Sequence, residues 1–313
     1  LRPDEPGSFF SRTVAAHGSL TMGGGNMGET DQRRGSGRVI TITSGKGGVG
    51  KTTTTANVGA ALAARGKSVV LIDSDIGLRN LDIVLGLENR IVYDLVDVVE
   101  GTCRLRQAMI RDKRLNNLHL IPAAQTREKE AVSPEQMRSL TNDLRQQFDF
   151  ILIDSPAGIE QGFRNAIAGA DEVLVVTNPE VSSVRDADRI IGLVEAAELP
   201  TPRLILNRLN PLLVRRGDMM SMDDVTDVLS IPLVGIVPDD ETIVTSTNRG
   251  EPAAFNPQSQ AGQAFRDIAA RLTGEDVPLM VQDEPKDGAL RRILRMLKIG
   301  GNQTVPLRGG GTQ

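Results

Sequence analysis

Cysteine is all but absent: Cys103 is the single thiol in 313 residues. One thiol cannot form a disulfide within the chain or a cysteine-based metal site within one chain, and it suits a reducing compartment. Cys103 itself reads as inert. Long apolar runs are also lacking, and none approaches the roughly 18 uninterrupted residues of a membrane-spanning helix. There is no basic excess: 36 Lys and Arg face 40 Asp and Glu, for a formal charge of −4. That balance argues against a body built to hold nucleic acid by charge and leaves room only for local basic clusters. Of the two histidines, His17 falls in a polar N-terminal stretch and His119 alternates into a strand, where a structural role is the expected one. Neither supplies a base for acyl or hydride chemistry.

The chain does hold a phosphate-binding signature. Residues 45 to 52, GKGGVGKT, match G-x-x-x-x-G-K-[ST] through Gly45, Gly50, Lys51 and Thr52. Val39, Ile40 and Ile42 precede them in a strand-like run, and the helical pattern TTTTANVGAALAAR follows. A strand, a glycine-rich loop and a helix N-terminus form an anion site, because backbone N–H groups and the helix dipole converge on one point. Gly45, Gly47, Gly48, Val49, Gly50, Lys51, Thr52 and Thr53 are therefore expected around a nucleotide's phosphates, with Lys51 on the β and γ phosphates and the Thr52 hydroxyl on Mg2+. A second lysine, Lys46, sits within the loop. Lys51 already occupies the near side of the phosphates, so Lys46 must point elsewhere.

Six further apolar runs recur at 68–73, 118–122, 148–154, 172–178, 203–207 and 233–238. Their hydrophobicity is continuous rather than alternating, which suits strands covered on both faces. Helical patterns lie between them, including SPEQMRSLTNDLRQQ, VSSVRDADRIIGLVEAAEL and SQAGQAFRDIAARL. The alternation predicts an α/β fold: a doubly wound, mainly parallel sheet with helices on both faces. The expected organisation is a disordered N-terminal extension (1–37), a P-loop domain (38–272), an acidic proline-bearing linker (273–288), an amphipathic helix (289–299) and a disordered tail (300–313). Met22 or Met27 could serve as a start. Asp4, Glu5, Glu29 and Asp31 count against an organelle transit peptide.

Two strands end in carboxylates: Asp154 in FDFILID, and Asp73 with Asp75 in LIDSD. Phosphoryl chemistry needs a metal anchor and a group that orients water. Asp154 occupies the position of a Walker-B carboxylate, while Asp73 and Asp75 serve either the metal and water or a turn cap. Near the C-terminus, ALRRILRMLKI places Leu290, Ile293, Leu294 and Leu297 on one stripe, with Arg291, Arg292, Arg295 and Lys298 largely elsewhere. An anionic lipid surface would accept such a helix, and so would a protein face. Ordering about eleven residues offsets most of the attraction that one copy can gain. Two copies on a dimer would gain from effective concentration.

Taken together, SGKGGVGKTT, DSDIGLRNLD, IDSPAGIE, TNPEVSSVRDADR and IPLVGIVPDD resemble the septum-positioning ATPases of the ParA/MinD family, the deviant Walker-A class of P-loop NTPases with the SIMIBI arrangement. The resemblance covers about residues 38 to 300. It implies ATP and Mg2+ as ligands and a nucleotide-sandwiched homodimer in which Lys46 reaches the partner's phosphates. It further implies that Lys46, Lys51 and Asp75 are catalytic, with Asp75 orienting water. Thr52, Asp73 and Asp154 would serve the metal, Asn207 and Pro238 would lie near the adenine, and Asp186 would fall in a helix linked to dimer and partner contacts. A MinC-like inhibitor, a MinE-like activator and an anionic membrane surface are the implied partners, with no specific nucleic acid. The implied activity is slow, dimer-dependent ATP hydrolysis that releases the protein from the cytoplasmic face of the membrane, or from a plastid envelope if the host is photosynthetic. Alternatives within the fold are a partition ATPase that binds DNA nonspecifically and a nucleotide-locked scaffold that does not turn over. An iron–sulfur carrier would need cysteine pairs, and a tyrosine kinase of the class would need more than Tyr93.

Overall fold

The computed structural model describes residues 37–128 and 131–279. The readings placed on residues 1–36, on 289–299 with Leu290, Arg291, Ile293, Leu294, Arg295, Leu297 and Lys298, on 300–313 and on most of the linker lie outside the described residues.

Each expected apolar run forms a strand. These are β1 (Arg38–Thr43), β2 (Val69–Asp73), β4 (Leu118–Ile121), β5 (Phe150–Asp154), β6 (Glu172–Thr177), β7 (Arg203–Leu209) and β8 (Leu233–Pro238), joined by a two-residue edge strand β3 (Ile110–Arg111). They form one sheet in the order β3-β4-β2-β5-β1-β6-β7-β8. Every pairing is parallel except β3 with β4. Eleven helices are described: α1 (Lys51–Ala64), α2 (Leu81–Leu85), α3 (Leu95–Val99), α4 (Leu105–Ala108), α5 (Pro134–Arg145), α6 (Gln161–Ile167), α7 (Val181–Ala196), α8 (Pro211–Arg216), α9 (Met222–Leu229), α10 (Thr242–Asn248) and α11 (Gln260–Leu272). Among the described residues, no helix is long and apolar enough to cross a membrane.

Side-chain alternation divides the strand residues between the two faces of the sheet. Ile40, Leu71, Leu152, Leu174 and Ile205 turn toward α1 and α11. Val39, Val70 and Ile151 face α5, while Val173 and Leu204 face α7 and α9. Each such side chain, fully withdrawn from water, stabilises the fold by about 1.5–3 kcal/mol relative to exposure. Coverage on both faces explains why the runs are continuous. The motif SPEQ begins α5 as its residues dictate. The Gln136 amide N–H donates to Ser133 Oγ at 3.2 Å, the Ser133 N–H donates to Gln136 Oε1 at 2.8 Å, and Pro134 takes the first helical position. The parallel register sets Ile42 beside Asp154 and Asp73 beside Asp154, so the C-terminal ends of β1, β2 and β5 meet at one edge of the sheet. In open α/β sheets, ligands bind at that edge.

Candidate nucleotide site

The loop between β1 and α1 opens at that edge. Gly50, just before α1, has φ 99°, a left-handed conformation that a side chain resists, and it turns the chain into the helix. From β7, the buried Asn207 donates its Nδ2 to the Val49 carbonyl at 2.7 Å and fixes the back of the loop. The Ser44 hydroxyl donates to the Lys46 carbonyl at 2.8 Å, and the Gly158 N–H donates to the Ser44 carbonyl at 3.2 Å. Gly45 lies against the backbone of Asp186 in α7, where an added Cβ would overlap the Asp186 carbonyl. Gly45→Ala is therefore expected to push the loop off α7 and weaken nucleotide binding about 5- to 150-fold, since an overpacked contact costs about 1–3 kcal/mol. Titration with a fluorescent nucleotide checks it.

Lys51 and Thr52 open α1. Lys51 is 8% exposed, and its ammonium acts on the Asp154 carboxylate, which also takes hydroxyl hydrogen bonds from Thr52 and, at 3.2 Å, from Thr55. The loop signature does not mark Thr55, although it lies one turn beyond Lys51. Burial pushes the Asp154 carboxyl up to about 7, and the Asp73 charge adds to the rise. Thr52, Lys51 and Thr55 oppose it. Burial likewise raises Asp73 to about 6 against three backbone donors, and the Asp75 charge adds to that rise. Those donors are Asp75 N–H at 3.0 Å to one oxygen, and Asn80 and Leu81 N–H at 3.1 Å to the other. Asp73 thus clips both ends of the loop that carries Asp75, whose own side chain is half-buried.

The two carboxylates and the Thr52 hydroxyl are hard oxygen donors. Magnesium takes one or two carboxylates and keeps the rest of its shell for water and phosphate, so this set suits it. The raised Asp154 and Asp73 carboxyls show what the fit rests on: two buried acids whose ionised forms a cation would favour.

The Lys46 ammonium is held at the start of α7. Its Nζ lies 3.2 Å from Ser182 Oγ and 3.6 Å from Glu180 Oε2. Glu180 and Ser182 sit inside the run TNPEVSSVRDADR, but nothing in the sequence marks them as partners of a residue 134 and 136 positions away. Asp186 pairs with Arg189 at 3.9 Å. Pro238 ends β8 and lines a cavity of about 370 Å³ with Leu209, Ile236, Pro257, Gln258 and Ser259. Thr53 is half-buried, and its carbonyl accepts from the Asn57 amide at 2.8 Å. A Cβ added at Gly47 would meet only the Ala157 methyl at 4.0 Å and one at Gly48 nothing within 4 Å among the described residues, so the crest of the loop is open.

This sheet, with a glycine-rich loop leading into a helix and acids on the neighbouring strands, defines a P-loop nucleotide-binding protein of the deviant class with two loop lysines. The family described as AAA domain matches residues 37–202. The septum site-determining protein MinD of Bacillus subtilis is 56% identical over 259 residues, covering 82% of this chain and 97% of its own length. Among solved structures, the MinC:MinD cell division protein complex of Aquifex aeolicus superposes with a TM-score of 0.73 at 48% identity, over 79% of this chain and 100% of that one. MinD from Pyrococcus horikoshii complexed with Mg-ADP gives 0.69 at 34%, over 75% and 95%. The chain belongs to the MinD family of septum site-determining proteins.

Proposed function

We propose that the chain is an ATP-driven switch that positions the division septum by cycling on and off a membrane surface. The observation that carries this reading is Lys46: it belongs to the phosphate loop, yet its ammonium rests on Glu180 and Ser182 at the start of α7. A loop lysine so placed can serve phosphates presented by a second copy, which makes hydrolysis depend on dimerisation. Lys51 and the loop N–H groups hold the phosphates of the bound ATP, and the base lies toward Asn207 and Pro238. Thr52 and Asp154, with Asp73 beside them, hold the cation. Bound Mg2+ would supply positive charge that offsets the charge of the phosphates. Asp75 orients the attacking water, and Lys46 of the second copy stabilises charge on the transferring phosphoryl group. The dimer presents two basic leucine-rich segments (289–299) to anionic lipid, and hydrolysis separates them. A MinC-like inhibitor is the partner that the Aquifex complex suggests, and a MinE-like activator completes the cycle.

Sedimentation with anionic vesicles tests the cycle, using the full chain and a chain ending at residue 285 in ATP, ADP and no nucleotide. The full chain is expected to sediment in ATP alone and the shortened chain in no state. Sedimentation of the shortened chain in ATP, or of the full chain equally in all three states, would sink the proposal.

A further inference from the structure

We infer that the Arg79–Asp82 ion pair is a positioning device for the loop that bears Asp75, an inference that rests on the hydrolytic reading above. Arg79 has φ 37°, left-handed in a residue with a side chain, so the surrounding structure must impose that backbone. Its Nε lies 3.0 Å from Asp82 Oδ2 without the alignment of a hydrogen bond, so the contact is one of charge, with the arginine side chain 18% and the aspartate side chain 1% exposed. Burial raises the Asp82 carboxyl, and the Arg79 charge opposes that rise. Breaking such a pair leaves an uncompensated buried charge. The pair sits at the far end of a short closed circuit. Leu78 and Arg79 N–H donate to the Asp75 carbonyl at 3.1 and 3.3 Å, and Gly77 N–H donates to the Ala124 carbonyl at 2.8 Å. The Asp73 carboxylate ties Asp75 N–H to Asn80 and Leu81 N–H. Asp73 closes the loop through its backbone, while Asp82 anchors it through a side chain.

The rest of α2 is fixed independently. Arg114 donates to the Leu85 carbonyl at 2.9 Å and to the Gly250 carbonyl at 2.9 Å, and it pairs with the buried Asp112 at 2.8 Å. With its C-terminal end so held, α2 is a fixed post, and Asp82 on its first turn is the point to which the Asp75 loop is tied. Arg79 and Asp82 need not touch the nucleotide; they act through Asp75.

The test compares the full chain with Arg79→Gly, Arg79→Lys, Asp82→Asn and the double variant Arg79→Gly/Asp82→Asn. Glycine accepts the left-handed backbone, so Arg79→Gly removes the ion pair without adding strain. The double variant removes both charges, which keeps a folded comparison available if either single change leaves a buried charge unpaired. Small misplacement of a reacting group is costly, so kcat for ATP is expected to fall about 10- to 100-fold in Arg79→Gly and in the double variant, with KM and nucleotide affinity within about twofold. Arg79→Lys should recover part of the loss. Amide hydrogen exchange at residues 75–81 is expected to quicken at least about tenfold while α1 and β5 stay protected. Unchanged exchange at 75–81, or a kcat within twofold of the unsubstituted chain, would overturn the inference. If the unsubstituted chain shows no turnover with ATP and vesicles, the ATPase reading fails, while the exchange result still decides whether the pair orders the loop.

Discussion

Lys46→Ala is expected to lower ATP turnover about 10³-fold, the lower range for a charged group supplied in trans to a transferring phosphoryl group. Nucleotide affinity should stay within about threefold, because the proposed function assigns the chain's own phosphates to Lys51 and the loop backbone. The lysine's present contacts do not oppose its transfer. Its pair with Glu180 spans 3.6 Å between side chains 45% and 53% exposed, and an ion pair of that kind contributes about 0–1 kcal/mol. Phosphate oxygens in a closed dimer interface offer shorter, charge-assisted hydrogen bonds in a medium of lower dielectric. Leaving Glu180 and Ser182 is thus a small cost against a large gain. Turnover in the presence of vesicles, read beside a fluorescent-nucleotide titration, checks both halves. A turnover within tenfold of the unsubstituted protein would make Lys46 a surface charge and remove the observation on which the switch rests.

The second large effect is on stability. Without nucleotide or Mg2+, the protein is expected to lose stability as pH rises from about 4 to about 7. Asp154 is pushed up to about 7 and Asp73 up to about 6 from an ordinary 3.8. Between the unfolded and folded values, the native state keeps protons that the unfolded chain has released. Stability in this window therefore falls with rising pH, being fully present below about 4 and lost as pH passes 6 to 7. A tenfold change in how tightly a carboxyl holds its proton is worth about 1.4 kcal/mol, so the pair accounts for several kcal/mol, about 7 as the sum of the two rises. Asp112 works in the opposite sense, since Arg114 holds it below its ordinary value against the rise that burial causes. Its stabilisation is lost only as pH falls below about 4, outside this window, whereas His119, lowered from its ordinary 6.5 by burial, opposes the fall within the window and the raised Asp82 adds to it. Asp154→Asn keeps the shape without the charge and is expected to flatten the slope and to melt higher than the unsubstituted chain at pH 8. Saturating Mg2+ and ADP should also reduce the slope, because a cation favours the ionised Asp73 and Asp154 carboxylates. Thermal melts from pH 4.5 to 8 decide the matter. A melting temperature that climbs through the window would mean that the two acids are paired in the native state rather than stranded by burial.

Much of the fold was legible because it depends on short-range pattern. A parallel sheet covered on both faces needs uninterrupted apolar runs, and those appear where β1, β2 and β4 through β8 lie. Helix α5 announces itself by SPEQ, whose hydrogen bonds span only three residues. The two-residue β3 carries too little pattern to be seen: it exists because Ile110 and Arg111 pair antiparallel with Leu120 and His119. The brief helices α2, α3 and α4 have one turn each or little more, below the length at which a 3.6-residue period shows itself.

The site divides in the same way. The sequence by itself determined the phosphate loop, because GKGGVGKT sets backbone, lysine and hydroxyl within eight consecutive residues, and it determined which strands end in acids. The contacts of Lys46 and Asn207, the three backbone hydrogen bonds on Asp73 and the tie from Arg79 to Asp82 were decided only by the tertiary structure. The raised Asp154 and Asp73 carboxyls were decided there too. Local motifs fix what a backbone can do. Burial, charge coupling and the reach of a side chain depend on which distant strands the fold brings side by side.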